Sequence, residues 1–276
     1  MSLMTRKTML AVAVLTSAMF ACGQDTEKVV IDGSSTVGPI AKAFATYFMA
    51  ANPDINVTVS ESGSGNGAKS MVAGNCDIAD MSRAMKPVEF KHAVENDVLP
   101  VPHVVALDGI ALVTHLSNPV QELSMEQIRD IYLGRIRNWS ELGGPARPIV
   151  VITRDTNSGT FESFEKLVMG DKKIMSGAEV VGSNGQMRSR VESTPAAIGY
   201  VGLGFVEGVR ALTIDGVEPT PRAIKTGDYP VARPLFMYTD GYPELGSALY
   251  RFVTIYLSSE GQEIVEDLGF VPVTSY

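Results

Sequence analysis

Val29-Val30-Ile31-Asp32-Gly33-Ser34-Ser35-Thr36-Val37-Gly38-Pro39 is the stretch from which the fold is read. The apolar triplet reads as a short buried strand and Asp32-Gly33 as the start of a turn. From Val37 to Ala51, Ile40, Ala43, Phe44, Tyr47 and Phe48 recur at helical spacing until Asn52-Pro53 stops them. A strand therefore runs through a Gly/Ser/Thr turn directly into a helix. Two further segments have the same grammar: Glu61-Ser62-Gly63-Ser64-Gly65-Asn66-Gly67, and Arg154-Asp155-Thr156-Asn157-Ser158-Gly159-Thr160 ahead of Phe161-Glu162-Ser163-Phe164.

The chemistry of such a junction follows from helix geometry. The first amides of a helix lack intrahelical partners and carry a partial positive charge, so they attract anions. Glycine lets the backbone approach closely, and Ser or Thr hydroxyls add short donors. One junction alone reads first as an N-capped helix after a tight turn. Three in one chain, one of them bearing Arg154, point to a shared oxyanion site. In open α/β sheets ligands lie at the carboxyl ends of strands, where these turns converge. Fixed amides and a guanidinium can replace the water of a compact anion.

The rest of the chain alternates in the same way. Strands are expected at Ile55 to Ser60, Ile78 to Met81, near 149–153 and near 197–201. Two apolar runs between Leu99 and Thr114 flank Asp108-Gly109. Helices are expected at Ala68 to Ala73, Pro87 to Glu95, 124–133, 159–168 and 184–193, then from Pro243 to Leu257 and from Glu260 to Leu268. This alternation predicts an α/β protein with largely parallel sheets. Cys76-Asp77-Ile78-Ala79-Asp80-Met81-Ser82-Arg83 adds a strand ending in a hydroxyl and a guanidinium. Arg83 by itself reads as a solvated loop charge.

Composition limits the function classes. The 276 residues are 45% hydrophobic and 20% charged, with 23 Lys plus Arg against 31 Asp plus Glu, a formal charge of -8. That describes a globular chain, and an acidic one with no basic run is a poor nucleic-acid binder. Two cysteines make no disulfide framework, and three histidines without H-E-x-x-H or C-x-x-C give a metal site no support. Arg6 and Lys7 precede an apolar stretch, Thr8 to Phe20, that ends in Ala21-Cys22-Gly23. This is an export signal, too short for an ordinary spanning helix. Cys22 directly after Ala21 resembles the acylated cysteine of a bacterial lipoprotein; plain secretion with cleavage near Cys22 is the alternative. Residues 1–21 are then a signal peptide and 22–28 a tether. Cys76 remains as a small buried hydrophobe.

Taken in order, Gly33 to Thr36, Ser62 to Gly65, Asp77 to Arg83, Ala106 to Ala111, Ile131 to Gly134 with Asn138-Trp139, Arg154 to Thr160 and Ala197 to Tyr200 resemble the phosphate-binding proteins that serve bacterial phosphate ABC importers. The resemblance runs from about Val29 to the C-terminus. It implies a two-lobed periplasmic-binding-protein fold (type II), each lobe a mostly parallel sheet flanked by helices, with crossings near Asp108 and near Ala232 to Phe236. Residues 29–108 and 233–276 form one lobe and 109–232 the other, closing like a hinged trap. It also implies a phosphate site of Ser35, Thr36, Ser64, Arg154, Ser158, Gly159 and Thr160, with Arg83 nearby, and ABC permease subunits as partners. No cofactor and no catalysis are implied. Some members carry an Asp after the Ser that ends the third strand, where it accepts the phosphate proton. Here Arg83 follows Ser82, as in another branch, which leaves Asp155 or Asp108 for that role. A helix-proximal charge and a hinge turn are their respective alternatives.

Two other readings compete. Ser163-Phe-Glu-Lys166 and Lys225-Thr226-Gly227 match two motifs of penicillin-recognising serine hydrolases, yet no Ser-Asp-Asn lies between them and Ser163 falls inside a helix. A tethered sensor or adhesin that holds an oxyanion without transport would share every residue of the site. Trp139 reads as a packing anchor, and His92, His103 and His115 as surface or satisfied core residues.

Overall fold

The computed structural model of the chain describes residues 27–170 and 172–274. The signal peptide, Cys22 and most of the tether lie outside the described residues.

In chain order the elements are β1 (Glu27–Gly33), α1 (Gly38–Ala51), β2 (Ile55–Ser60), α2 (Ser64–Val72), β3 (Ile78–Met81), α3 (Pro87–Glu95) and β4 (Pro100–Thr114). There follow β5 (Glu122–Leu123), α4 (Met125–Tyr132), β6 (Val150–Arg154), α5 (Gly159–Phe164), β7 (Glu179–Val181), α6 (Asn184–Glu192) and β8 (Ala197–Gly202). The chain ends with β9 (Arg210–Ala211), β10 (Thr213–Ile214), α7 (Pro221–Thr226), β11 (Ala232–Asp240), α8 (Ala248–Val253) and α9 (Ser259–Asp267).

The strands form one nine-stranded sheet in the order β2-β1-β3-β11-β4-β8-β6-β7, with β9 also on β4; β10 and β5 make a separate pair. Each lobe owns one end of this sheet. In the first, β1 lies parallel to β2 and β3, and in the second β6 lies parallel to β7 and β8. The crossings are antiparallel, which the sequence reading did not anticipate: β11 pairs with both β3 and β4, and β4 with β8. Asp108-Gly109 is not a turn. β4 runs through it as one 15-residue strand, its first part on β11 and its last five residues on β8.

Each lobe buries its own core. Ile31, Phe44, Phe48 and Ile78 pack with Phe252 and Phe270 in the first lobe. Tyr132, Trp139, Phe164 and Tyr200 fill the second. Trp139 is fully buried and its indole donates to Ala196 O at 2.8 Å, the anchor role its sequence context suggested. Cys76 is buried beside Met71, Ala79 and Met81.

Local chemistry moves several boundaries. α2 starts at Ser64, so Gly63 is its N-cap and Gly65 and Gly67 lie inside its first turn. Gly67 belongs there because a Cβ would come within 2.8 Å of Asp32 O and Gly33 Cα. Pro243 and Gly246, the latter at φ +84°, hold off the C-terminal helix until Ser247 caps α8 by accepting from Tyr250 N. α5 continues as a wider π turn over Glu165–Met169. No helix among the described residues is long and apolar enough to cross a membrane.

Candidate functional site

The three junctions meet. Thr36, just past β1, and Thr160, in the first turn of α5, place their hydroxyls 3.0 Å apart although they belong to different lobes. Gly65 N of α2 donates to Asn157 O of the third junction at 3.0 Å. Ser64 Oγ accepts from Ser82 N at 3.1 Å, and lies so near Gly159 that a Cβ there would sit 2.4 Å from it. Ser35, Thr36, Ser64, Arg154, Ser158 and Thr160 are all buried. Ser158 is the N-cap of α5, accepting from Phe161 N at 3.2 Å.

Arg154 is held from below. Tyr200 stacks on Phe164 with ring centroids 4.1 Å apart, and its phenol oxygen accepts from Arg154 N at 3.1 Å. Burial pushes the Tyr200 phenol up to about 12, so it stays a neutral donor and acceptor at any working pH. The guanidinium donates through Nε to Val181 O and through Nη2 to Gly182 O and, at 3.4 Å, to Ser35 Oγ. Nη1 is buried without a hydrogen-bond partner. An unpaired buried guanidinium donor is costly to the fold and calls for a ligand.

Two residues that the sequence reading missed complete the cluster. Arg233 on β11 donates from Nη2 to Thr160 Oγ1 at 3.0 Å and to Thr36 Oγ1 at 3.4 Å, and from Nη1 to Ser82 O at 3.0 Å. Asn184, the first residue of α6, donates from Nδ2 to Thr36 Oγ1 at 2.8 Å and to Ser35 Oγ at 3.3 Å. Its amide orientation is fixed because Oδ1 accepts from Gly202 N. A charged residue inside the otherwise apolar run Val231 to Phe236 was the available signal for Arg233.

Three expected residues have other partners. Arg83 is not presented to the cluster: its guanidinium makes two bonds to Glu89, at 2.8 and 2.7 Å, and pairs with Glu162 at 2.8 Å. Asp155 closes the third junction by accepting from Asn157 N at 2.8 Å, a turn role. Asp108 does lie beside the cluster, but its Oδ2 is taken by Arg233 Nε and Nη2 at 3.0 and 2.8 Å, and its Oδ1 accepts from Leu203 N. Burial raises the proton affinity of this carboxyl, and Arg233 and the Leu203 amide work against that. The hydrolase residues do not assemble either: Ser163 Oγ donates to Ser82 O, and Thr226 bonds Asp228 at the end of α7.

The chain and its fold match known proteins. A model of the PBP superfamily domain matches residues 21–259. A phosphate-binding protein PstS of Bacillus subtilis is 33% identical over 248 residues, covering 88% of this chain and 80% of the relative. The chain belongs to the PstS family of the PBP superfamily. A PstS of Borreliella burgdorferi is 29% identical over 272 residues, covering 94% of this chain and 95% of its own. Among solved structures, a Clostridium perfringens protein crystallised with bound phosphate superposes with a TM-score of 0.84 at 36% identity, over 90% of this chain and all of that one. An ABC-type phosphate transport receptor from Vibrio cholerae gives 0.71 at 30% identity, over 88% of this chain and 99% of its own. PstS members are solute-binding proteins, and the two-lobed architecture of this chain is theirs.

Proposed function

We propose that the chain binds inorganic phosphate outside the cytoplasm and delivers it to an ABC importer, as the solute-binding component and without catalysis. The observation that carries this reading is the buried, unpartnered Nη1 of Arg154 at the point where three hydroxyl-bearing junctions meet. The ligand shell in this reading is Ser35, Thr36, Ser64, Arg154, Ser158, Gly159 and Thr160, joined by Asn184 and Arg233. Arg83 is left out, because Glu89 and Glu162 already take its guanidinium.

Electrostatics support an anion of low charge. Arg154 and Arg233 bring two positive charges and Asp108 returns one negative charge. The remaining groups are neutral donors, so the site compensates a compact anion while the chain as a whole is acidic. Ser and Thr hydroxyls both donate and accept. The P–O–H of hydrogen phosphate can therefore donate a hydrogen bond to a hydroxyl oxygen such as that of Ser64, whereas both oxygens of Asp108 are already taken by Arg233 and Leu203 N.

Residues 29–108 and 233–276 act as one lobe and 109–232 as the other, with β4 and β11 as the hinge. Residues 1–21 direct export, and Cys22 carries the lipid that keeps the protein at the outer face of the membrane. A competition titration of the purified chain against phosphate, arsenate, sulfate and molybdate tests the assignment. Phosphate and arsenate should displace one another and outcompete the other two; equal binding of all four, or of none, refutes it.

A further inference from the structure

We propose that the end of the first lobe opposite the anion cluster is a lipid-seating surface, on which Tyr242, Leu245 and Leu99 rest against a zwitterionic bilayer. This goes beyond phosphate binding and rests on the reading of Cys22 as an acylated terminus.

The sheet places the surface. β1 begins at Glu27 and reaches the first junction at Gly33, a rise of about 20 Å for an extended strand. β11 runs the opposite way: Thr239 lies opposite Ile78, and Ile78 opposite Ile31. Past Asp240 the chain leaves the sheet at the level of Val30, midway along β1, with two strand spacings, about 10 Å, between the two strands. Leu99 is tied to that exit, since Gly241 N donates to Leu99 O at 2.8 Å and Leu99 N to Asp240 Oδ1 at 2.7 Å. Tyr242 is 85% exposed, Leu245 79% and Leu99 57%. Scattered apolar surface residues are ordinary, but these three share one end of one lobe.

The chain outside the described residues says what covers them. From Cys22 to Glu27 is a span of five residues, at most about 18 Å when fully drawn out. An acylated Cys22 therefore holds this end, and not the edge of the cleft, against the headgroups. A tyrosine ring is suited to that depth, with an apolar body and a wet hydroxyl. The segments that carry the patch, 95–99 and 240–245, hold Glu95, Asp97, Asp240 and Glu244 and no Lys or Arg, which disfavours an anionic surface and leaves zwitterionic phospholipid as the partner.

The test couples the processed chain through Cys22 to maleimide-bearing lipid in phosphatidylcholine vesicles whose acyl chains are brominated. Cys76 does not compete, being buried with its thiol pushed up to about 11. Trp139 is silent to the quencher because it is fully buried. The tryptophan of Tyr242→Trp is expected to lose about half or more of its emission, as an interfacial side chain does, while that of Val180→Trp on the other lobe keeps it. Equal quenching at both positions overturns the seat. Absence of quenching in Tyr242→Trp overturns it too, and turns this surface over to a protein partner. Mass analysis of the chain isolated from membranes separately reads acylation: an unmodified Cys22 refutes the anchor, while the quenching still decides the seat.

Discussion

Arg83 of the first lobe and Glu162 of the second form an ion pair across the cleft, with Nε 2.8 Å from Oε2. Lys86 adds a second cation to the same carboxylate oxygen at 2.8 Å, and Glu89 braces Arg83 from its own lobe. Arg83, expected near the phosphate, is thus instead the centre of an ion-pair network with Glu89 and Glu162. An ion pair between Arg83 and Glu162 holds the two sides together, and in the proposed hinged trap it would add to affinity by favouring the closed form. Glu162→Gln is expected to raise the phosphate Kd about tenfold, equivalent to ~1.4 kcal/mol, and to open the lobes in small-angle scattering. An unaltered Kd by calorimetry would dismiss this contribution.

Gly159 is the tightest point of the site. A methyl group there would lie 2.4 Å from Ser64 Oγ and 2.6 Å from Ser82 Oγ, so Gly159→Ala forces the second and third junctions apart. Overpacking of this kind costs about 1–3 kcal/mol of stability, and phosphate affinity by calorimetry is expected to fall with it as the hydroxyls are displaced. Wild-type affinity in this variant would mean that the two junctions do not serve one anion.

Arg154→Ala removes the charge with the unpartnered Nη1 and should cost phosphate binding about 2–5 kcal/mol, as truncating a buried charged partner does. The fold should tolerate the change better than the ligand does, because the Tyr200–Phe164 stack stays in place. Calorimetric titration against urea melts separates the two effects, and a protein that still binds at wild-type strength would exclude Arg154 from the shell.

How far the sequence could be read depends on the range over which each signal acts. The junctions at Ser35, Ser64 and Ser158 are legible locally, because each lies in one short stretch of glycine and hydroxyl residues between a strand and a helix, and it is their threefold recurrence that separates an anion site from ordinary N-caps. Arg233 does not. Its partner Asp108 is 125 positions away, and a guanidinium among Val231, Leu235 and Phe236 becomes intelligible only when the C-terminal segment returns to the sheet. The same return makes β11 antiparallel to β3 and β4, which a count of alternating elements cannot reveal. Asp108-Gly109 carries turn chemistry, yet its buried ion pair lets β4 run straight through. Asn184 was hidden by its ordinary position after the capping Ser183.

Arg233 and Asp108 also supply a test in which stability and binding part company. Arg233→Met leaves the Asp108 carboxyl buried without its cation, a change that costs about 3–5 kcal/mol of folding stability. Adding Asp108→Asn removes the stranded charge, so urea melts should recover much of that loss. Phosphate affinity should stay low in the double variant, because the donors to Thr36 and Thr160 are still gone. Recovery of both properties would reduce Arg233 to a hinge residue.

The last test concerns Asp80, whose backbone oxygen accepts from Ser34 N at 2.8 Å and so supports the first junction. Its side chain is fully buried and neither carboxylate oxygen has a hydrogen-bond partner. Burial first, then the nearby charges of Asp32 and Glu61, push its proton affinity well above the ordinary carboxylate range. The folded chain therefore binds this proton more tightly than the unfolded chain does, where an Asp titrates near about 3.9. The sign follows: stability is greatest with Asp80 protonated, at and below that unfolded value, and declines as pH rises from there toward the raised folded value. Asp80→Asn, a neutral isostere, should abolish that decline. Urea melts between pH 4 and 8 are expected to show the variant more stable than the parent at neutral pH, with the gap narrowing as the solution is acidified. A gap that is constant across the range, or one that widens toward acid, would show that Asp80 does not carry its proton in the folded protein.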